Sequence, residues 1–278
     1  PTMSFAALPN PQALVGTVID GGRLRVLAHI GSGGFGAVFR VVELTNNREY
    51  ALKCMPKAAR KTQTYLRQKL EMTVHTELTG HTNVVAFHRW IDEGPWIMFL
   101  FDFCAGGDLF KIIIERRCVG NDALLRSVFG QMLDAVAHCH ANGVYHRDLK
   151  PENFLCTPDL GTIFITDFGL ATTEKLTNDF RVGSPAYMSP ECLQVDIRVW
   201  CPAPQCDVWA LGILLFSLLT ARVPWLHAVP TDPNFAHYIQ WPHLLFSRSA
   251  PLPEEIKRLV LDALNVNPYH RISLDEFR

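Results

Sequence analysis

The sequence predicts an α+β fold with two lobes, a small antiparallel β-rich lobe followed by a larger, mainly helical lobe. The first observation is a meander of three strand-length apolar runs within residues 23–55, interrupted by a glycine-rich turn and a polar turn. The second is the helical spacing of apolar residues over 61–79, after which two more strand-length runs reach Phe103. The third is a change to helical spacing beyond Gly107.

The second lobe is expected to hold four main helices and one short β-rich stretch. The predicted helices cover 108–116, 121–142, 207–221 and 252–264, the β-rich stretch covers 154–166, and the two late strands of the first lobe cover 84–91 and 96–103. Residues 224–251 are rich in proline and histidine, which favours irregular chain. The predicted divisions are a mostly irregular lead-in at 1–22, the first lobe at 23–101, a connection at 102–107 and the second lobe at 108–278.

Composition argues against several classes of function. The 278 residues are 48% hydrophobic, which is enough for one large domain or for two lobes. Lysine and arginine number 26 against 27 acidic residues, so the net charge of −1 does not favour binding to nucleic acid or to a membrane surface. The apolar run at 210–219 is ten residues long and predicts a buried core helix. The start of the sequence lacks the pattern of a secretory signal.

Eight cysteines are scattered singly along the chain, and this pattern predicts reduced thiols in the cytoplasm, the nucleus or both. Cys201 and Cys206, with Cys192 nearby in sequence, are the one group that suggests a metal site. Zinc needs four closely spaced ligands, however, and neither a CxxC motif nor a histidine pair accompanies them. We therefore interpret these cysteines as packing or surface thiols.

A glycine-rich motif, GSGGFGAV, occupies residues 31–38. Glycines let a backbone turn tightly and approach a phosphate closely, so the motif predicts a nucleotide-binding loop. A dinucleotide-binding turn and a plain structural turn share the pattern, but the first requires a following helix. The residues after Gly36 are β-branched and aromatic, which favours a hairpin. Lys53 follows Gly36 by seventeen residues on the next predicted strand, where a lysine can pair with phosphates.

The string HRDLKPEN at residues 146–153 is the most specific motif, and it resembles the catalytic loop of protein kinases. The resemblance implies a bilobal protein kinase fold and transfer of the γ-phosphate of ATP. It also implies that Asp148 accepts or orients the substrate hydroxyl proton, that Lys150 neutralises charge on the transferring phosphoryl group, and that Asn153 binds Mg²⁺ or Mn²⁺. Asp167, which begins a DFG tripeptide, is the second expected metal ligand. The Lys-Pro-Glu in the string resembles serine/threonine rather than tyrosine kinases.

The resemblance covers about residues 23–278. The SPE at 189–191 stands where kinases have APE, and Glu191 is expected to form a structural pair with Arg271. A narrower resemblance to the fungal Ran-like serine/threonine kinases rests on LVGT at 14–17, IDGGR at 19–23, GNDALLRSVF at 120–129 and MSPEC at 188–192. That group is linked to the switch between growth and meiosis or to nutrient responses, so a signalling role of this kind is implied.

The kinase resemblance also implies a glutamate partner for Lys53 on the 61–79 helix. Glu71 is expected, because HTNVV at 81–85 resembles the segment that follows this helix in kinases, and Glu77 is the alternative.

The adenine pocket follows from the same register. Phe101 is placed behind adenine, where its large ring is expected to exclude bulky inhibitors, and the backbone at Asp102 and Cys104 is expected to bond the adenine edge. The residues predicted to contact ATP are Ile30, Gly31, Ser32, Gly33, Gly34, Phe35, Gly36, Val38, Ala51, Lys53, Glu71, Phe101, Asp102, Cys104, Asp108 and Leu155.

A pseudokinase that serves as a scaffold is the main alternative function. The complete set of Lys53, Asp148, Asn153 and Asp167 argues against it. His75 is the one irregularity, because kinases usually pack an apolar side chain there; it is either a satisfied core histidine or a pH-sensitive element of the helix. A small-molecule or lipid kinase is disfavoured, since the SPE and DVW framework is typical of peptide-binding kinases. We expect a monomer that acts on protein substrates.

Two expectations concern substrate choice. Asp108 and Glu152 resemble acidic positions that favour basic residues upstream of the target hydroxyl. A third such position is occupied by Ser217. We therefore expect a modest preference for arginine or lysine about three residues upstream, and we expect no requirement for two arginines.

The segment after the DFG motif is expected to be ordered without phosphorylation. Arg147 offers a basic pocket, but counting back from Gly183 places the usual phosphorylated position on Phe180. Asp179 carries a fixed negative charge that can stand in for phosphate, or it is a solvated loop charge. The alternative phosphorylation sites are Thr172, Thr173 and Thr177. Ser184 is expected to be a structural hydroxyl that bonds Asp148 and Lys150.

Overall fold

The structure is a computed structural model that describes residues 11–33, 36–193, 200–247, 249 and 251–278. Gly34 and Phe35 of the predicted ATP site lie outside the described residues. The chain separates into two compact units, one of residues up to Gly80 together with Val85–Ala105, the other of His81–Val84 together with Gly106–Arg278. The division after Ala105 lies inside the predicted connection. Residues 81–84 join the second unit, whereas the sequence assigned them to the first lobe.

The first unit is built on an antiparallel sheet with strand order β1-β2-β3-β4-β6-β5. Its strands are β1 (Val18–Ile19), β2 (Leu24–Gly33), β3 (Gly36–Glu43), β4 (Glu49–Pro56), β5 (Phe87–Glu93) and β6 (Trp96–Asp102). Strand β1 corrects in part the prediction of a mostly irregular lead-in, because Val18 pairs with Arg25 of β2. A short 3₁₀ helix, Pro11–Leu14, precedes it.

The register of the sheet separates a core face from a face that carries the predicted ATP residues. Val38 lies opposite Lys53 and Phe39 lies opposite Leu52, and successive side chains of a strand point to opposite faces. Phe39 and Leu52 belong to the buried apolar cluster of this unit, where both are about 1% exposed. The alternation therefore turns Val38 and Lys53 to the other face.

Helix α1 (Gln63–Leu78) packs beside strand β5 in the first unit. The Thr62 hydroxyl caps its start by accepting a hydrogen bond from the backbone N–H of Tyr65. Glu71, Val74, His75 and Leu78 form its buried face. These positions recur at three- and four-residue spacing, which is the periodicity from which the helix was predicted.

The second unit is mainly helical, as the sequence predicted. Its helices are α2 (Leu109–Ile114), α3 (Asp122–Ala141), α4 (Pro190–Leu193), α5 (Ala203–Thr220), α6 (Pro233–Gln240), α7 (Glu254–Ala263) and α8 (Leu274–Phe277). Two strand pairs accompany them: β7 (Phe154–Cys156) with β8 (Ile163–Ile165), and β9 (Leu176–Thr177) with β10 (Cys201–Pro202).

Helix α5 is the central helix of this unit and begins four residues earlier than predicted. Pro204 stands in its first turn, where a missing backbone N–H is tolerated, so the sequence PAP extends the helix rather than ending it. Among the described residues, α5 is the one helix long and apolar enough to cross a membrane, but 83% of it is buried inside the protein. The helix ends at Thr220, and the capping residue Ala221 adopts a left-handed φ of 58°.

The stretch 224–251 is not irregular throughout, which corrects a second prediction. It contains helix α6 and a 3₁₀ helix, Pro242–Phe246. The Asp232 carboxylate caps α6 by accepting hydrogen bonds from the N–H groups of Asn234 and Phe235, and Pro233 occupies the first turn. The Asp-Pro sequence therefore starts a helix in a stretch whose high proline content favours irregular chain.

Candidate active site

Asp148 lies at the centre of the predicted catalytic loop and is 6% exposed. Its Oδ1 accepts a hydrogen bond of 2.8 Å from the Ser184 hydroxyl, and its Oδ2 accepts one of 2.8 Å from Lys150 Nζ. The Asn153 amide nitrogen donates to the Asp148 backbone carbonyl at 2.8 Å. The loop therefore holds a carboxylate in a fixed orientation beside a lysine, which is the geometry required of a group that accepts a hydroxyl proton.

His146 fixes the position of the DFG segment within the second unit. Its Nδ1 accepts a hydrogen bond from the backbone N–H of Asp148, so Nε2 carries the proton and donates to the Thr166 carbonyl at 2.9 Å. The His146 ring also lies 5.1 Å from the ring of Phe168. This histidine thus joins the catalytic loop to the residue before Asp167.

Asp207 anchors the catalytic loop from the first turns of α5, a role that the sequence did not reveal. Its Oδ2 accepts from the N–H of His146 and its Oδ1 accepts from the N–H of Arg147, at 2.9 and 2.8 Å. Arg147 adopts a left-handed φ of 65°, a strained conformation that needs such support. His140 Nε2 lies 2.8 Å from the same carboxylate. The DVW string marked Asp207 as part of the framework, but nothing in the sequence marked His140.

Asn153 and Asp167 fit the oxygen-ligand chemistry of a divalent ion such as Mg²⁺. The Asn153 nitrogen is committed to the Asp148 carbonyl, which turns the amide oxygen to the other side of the planar group. Thr166 donates its N–H to the Asn153 carbonyl at 3.0 Å, so Asp167 follows directly after a residue tied to Asn153. Asp167 itself adopts a left-handed φ of 63°. In the part of the chain that the structure describes, no group of three His, Cys, Asp or Glu side chains forms a further candidate site.

Lys53 and Glu71 form the predicted ion pair inside the first unit. The Lys53 Nζ lies 2.5 Å from Glu71 Oε1, and the side chains are 10% and 3% exposed. Glu77, the alternative partner, lies on the exposed face of α1. A buried ion pair holds its lysine in place strongly, because breaking it leaves an uncompensated charge.

The face of the sheet that carries Lys53 also presents the predicted adenine-contacting residues. Ala51 lies opposite Phe101, and both Val38 and Ala51 are half-buried. Phe101 is 7% exposed, and its ring lies 4.7 Å from that of His75. Three predicted contacts thus share one face with the lysine.

In the connection that begins at the end of β6, the backbone N–H of Asp102 already forms a hydrogen bond within the protein. The N–H of Asp102 donates to the Ala86 carbonyl at 3.0 Å, so an adenine contact at Asp102 must use its carbonyl. Its side chain accepts from Arg48 and lies 2.7 Å from His88 Nε2. Cys104 is half-buried two residues further on.

Asp108 and Leu155 belong to the second unit, where they form an isolated antiparallel bridge. Asp108 also caps α2 through a 3.4 Å hydrogen bond from the N–H of Lys111. Gly106 lies so close to β7 that a Cβ atom would stand 2.4 Å from the Cys156 carbonyl oxygen, so only glycine fits.

The described part of the glycine-rich motif forms a hairpin, as the sequence predicted. Gly33 pairs with Gly36, and Ile30, Ser32 and Gly33 are exposed while Gly31 is half-buried. A Cβ atom at Gly36 would lie 2.2 Å from the Cys54 carbonyl oxygen, and its φ is 145°, so the hairpin requires glycine there. The dinucleotide-binding alternative is wrong, since a strand rather than a helix follows.

His75 is a core histidine of the first unit, 1% exposed. Its Nε2 lies 2.8 Å from the Val85 carbonyl and therefore donates to it. The ring packs beside the rings of Phe87 and Phe101. These contacts agree with a histidine that is part of the core and is hydrogen-bonded through Nε2.

Arg147 contacts Asp179 in the activation segment, taken here as residues 167–191. Its guanidinium donates to the Asp179 backbone carbonyl at 2.5 Å and lies 3.5 Å from the carboxylate. The Arg147 side chain is 6% exposed and that of Asp179 is 56% exposed. The negative charge therefore stands at the basic pocket, partly in solvent.

The three candidate threonines differ in accessibility. Thr177 is 8% exposed, lies on β9 and accepts a hydrogen bond from the N–H of Asp179. Thr172 is half-buried and pairs its backbone with Tyr145, whereas Thr173 is exposed. A modifying enzyme would therefore reach Thr173 most readily.

Glu191 and Arg271 form the predicted buried pair, with nitrogen–oxygen distances of 2.8 and 3.1 Å. The guanidinium also donates to the Gln205 carbonyl and lies 5.0 Å from the centre of the Trp209 ring. These contacts join the end of the activation segment to α5 and to the last residues of the chain.

Comparison with known proteins agrees with this geometry. A model of the protein kinase domain matches residues 24–278. "Negative regulator of sexual conjugation and meiosis" of Schizosaccharomyces pombe is 35% identical over 96% of this chain and 61% of its own length. Serine/threonine-protein kinase ksp1 of the same yeast is 34% identical over 80% of the chain and 48% of its own length. Serine/threonine-protein kinase VHS1 of Saccharomyces cerevisiae is 28% identical over 90% of the chain and 68% of its own length.

The chain thus spans between about half and two thirds of the length of these relatives. The family match covers both compact units and every motif from the glycine-rich hairpin to Arg271. The chain belongs to the protein kinase family and is a catalytic domain of the eukaryotic serine/threonine type.

Proposed function

We propose that this domain is an active kinase that transfers the γ-phosphate of ATP to serine and threonine hydroxyls of proteins. The observation that carries the proposal is the Asp148 carboxylate, held by Ser184 and Lys150 at 2.8 Å each. A scaffold without catalysis has no need of a carboxylate oriented in this way. The buried Lys53–Glu71 pair supports the same conclusion, because it holds a lysine on the face that carries the adenine-contacting residues.

Each of the predicted site residues has a separate role in catalysis. Asp148 accepts the proton of the attacking hydroxyl, and Lys150, now bonded to Asp148, neutralises charge on the transferring group. Lys53 pairs with the phosphates of ATP, and Glu71 keeps it in place. Asn153 and Asp167 would hold Mg²⁺ or Mn²⁺, which supplies charge neutralisation at the phosphates when bound.

The test compares Asp148→Asn with the wild-type domain on a generic serine/threonine substrate. We expect the variant to lose activity by about 10²–10⁴-fold, the usual contribution of a general base. Asp122→Asn, an exposed carboxylate at the start of α3, is the matched control and should retain full activity. Equal thermal unfolding of the three proteins excludes loss of fold, and wild-type turnover in Asp148→Asn would refute the proposal.

We further propose a modest preference for arginine or lysine about three residues upstream of the target. Glu152 is exposed and Asp108 half-buried, which leaves two carboxylates for a basic substrate. Ser217 is 1% exposed and donates to the Ile213 carbonyl, so the third position contributes no charge. A peptide array should show this preference weakened in Glu152→Gln, and a proline-directed or acidic preference would contradict it.

The full-length protein is proposed to act in fungal growth, nutrient or meiosis signalling, in the cytoplasm, the nucleus or both. The similarity to "Negative regulator of sexual conjugation and meiosis" of Schizosaccharomyces pombe supports the signalling role. The eight free cysteines, seven of them buried, agree with a reducing compartment. Disruption of the gene in its own organism, followed by scoring of growth and sporulation on rich and poor media, tests the role.

A further inference from the structure

Three cysteines meet beneath the activation segment and form what we call the thiol cluster: Cys192 of α4, Cys201 of β10 and Cys206 of α5. The sulfur atoms of Cys192 and Cys206 are 3.1 Å apart. The Cys201 thiol has one S–H proton, which it donates either to the Glu191 carbonyl, 3.3 Å away, or to the Cys192 sulfur. Phe180 of the activation segment packs against the cluster. All three cysteines are less than a tenth exposed, and the proposed kinase reaction uses none of them.

A small cavity leads from the catalytic loop to the cluster. It holds about 20 Å³ and is lined by Asp148 and Ser184 as well as by Cys192 and Cys206. A single water needs roughly 10–15 Å³, so the cavity admits a molecule of about that size. Hydrogen peroxide is only one oxygen atom larger and uncharged. The two sulfurs that lie 3.1 Å apart are therefore the two that a small oxidant can approach.

The three thiols are chemically unequal. Hydrogen bonds from Cys201 and then from Cys206 lower the pKa of the Cys192 thiol, whereas the bond to Cys192 raises the pKa of Cys206. The thiolate is the form of cysteine that reacts with peroxides and disulfides. Cys192 is thus suited to attack an oxidant, and Cys206 is suited to resolve the product.

We propose that Cys192 and Cys206 form a reversible disulfide when the domain meets a peroxide, and that this bond lowers its kinase activity. The Cys192 thiolate attacks one peroxide oxygen, the O–O bond breaks, and the leaving hydroxide takes up a proton to form water. The Cys206 sulfur then attacks the resulting sulfenic acid, its S–H proton joins the departing hydroxyl group, and a second water leaves. Two thiols are oxidised and one peroxide is reduced to two waters; a dithiol reverses the bond.

The proposed loss of kinase activity on disulfide formation rests on the proposed function. The reason for this loss is geometric. A disulfide has a sulfur–sulfur distance of about 2.05 Å, so the two sulfur atoms, carried by α4 and α5, must approach by roughly 1 Å. The Cys192 carbonyl accepts the N–H of Arg181, and the Ser189 hydroxyl donates to the Cys206 sulfur. The shift therefore reaches the segment whose Ser184 orients Asp148. A displacement of about 1 Å at a catalytic group can lower activity by up to about a hundredfold.

The bond itself is measured without any assay of activity. The purified domain is treated with hydrogen peroxide, its remaining thiols are alkylated, and its tryptic peptides are analysed by mass spectrometry without reduction. Trypsin places Cys192 in peptide 182–198 and both Cys201 and Cys206 in peptide 199–222. We expect a cross-link between these peptides in the wild type and in Cys201→Ser, none in Cys206→Ser, and its disappearance after treatment with dithiothreitol.

Activity is measured on the same samples. We expect peroxide to reduce wild-type activity at least about tenfold, with recovery in dithiothreitol, and to leave Cys206→Ser active. Cys139→Ser is the matched control, because Cys139 is fully buried in α3 and burial raises the pKa of its thiol; it should behave as the wild type. Cys192→Ser provides a second resistant variant if Cys206→Ser does not fold.

Three outcomes would overturn the proposal: no cross-link, a cross-link that is lost in Cys201→Ser, or peroxide inactivation that persists in Cys206→Ser. A cross-link without any change of activity would refute the proposal that the disulfide lowers kinase activity. If the reduced wild type is inactive, this result counts against the proposed kinase function. Mass spectrometry of the cross-link would still test whether the disulfide forms.

Discussion

At the scale of single residues, the pairs that orient charged groups matter most. Glu71 has one role that can be isolated, because its Oε1 lies 2.5 Å from Lys53 while Glu77 on the same helix is exposed. We expect Glu71→Gln to lower kcat/KM by about a hundredfold, since a displaced catalytic group has an effect of that order. Steady-state kinetics of Glu71→Gln and of Glu77→Gln check this. The control should stay within about twofold of the wild type, and equal kinetics in the two variants would contradict the pairing role.

Asp179 permits a second residue-scale prediction. Arg147 bonds both its backbone carbonyl and its half-exposed carboxylate, so removal of the carboxylate leaves one of the two contacts. More than half of the Asp179 side chain is in solvent, which screens the ion pair and limits its contribution to about 1 kcal/mol, so we expect Asp179→Ala to reduce activity by no more than about fivefold. Asn178→Ala, an exposed neighbour, is the control and should have no effect.

The same assay decides whether the segment needs phosphate. The domain is produced in bacteria, treated with phosphatase and shown by mass spectrometry to carry no phosphate. We expect it to be active in that state. An inactive enzyme that recovers on phosphorylation of Thr172, Thr173 or Thr177 would refute the stand-in role of Asp179.

At the scale of elements, helix α5 is capped at its C-terminal end by an alanine in a conformation that favours glycine. Ala221 has a φ of 58°, where an alanine is strained and a glycine is not. We expect Ala221→Gly to stabilise the domain by about 0.5–1 kcal/mol and to raise the melting temperature by about 1–4 °C. Ala210→Gly, inside the same helix, should lower it, because glycine destabilises a helix interior. Calorimetry measures both melting temperatures, and a shift in the same direction for the two variants would contradict the argument.

The elements also show how far the sequence could predict this protein. The sheet, α1 and the helical second unit follow from local apolar spacing, whereas the HRD and DFG strings pointed to Asp148 and Asp167 through their resemblance to kinase motifs. Contacts between distant residues were not predictable in the same way. Asp207 reaches the catalytic loop from 61 residues away, and His140 joins it through packing of α3 against α5. Residues 81–84 join the second unit because the Asn83 carbonyl bonds to Ile165 there.

At the scale of the whole molecule, the Glu191–Arg271 pair connects segments 80 residues apart in the chain. Arg271 has no exposed side-chain surface, so Arg271→Ala leaves a buried carboxylate without its charge partner. We expect a loss of about 3–5 kcal/mol in the free energy of unfolding. Lys257→Ala, which breaks an exposed pair with Glu254, should change it by less than about 0.5 kcal/mol. Urea denaturation measures both, and losses of equal size would contradict the prediction.

The anchoring of the catalytic loop by Asp207 has a consequence for the order in which the protein is made. A ribosome completes HRDLKPEN and the DFG tripeptide well before it reaches the residue that holds the loop in its left-handed turn. The nascent chain therefore carries all the catalytic motifs while the loop still lacks the carboxylate that shapes it. Any fragment that ends before α5 contains the sequence motifs of a kinase but lacks the residue that shapes its catalytic loop. The enzyme therefore becomes competent only after α5 has been synthesised.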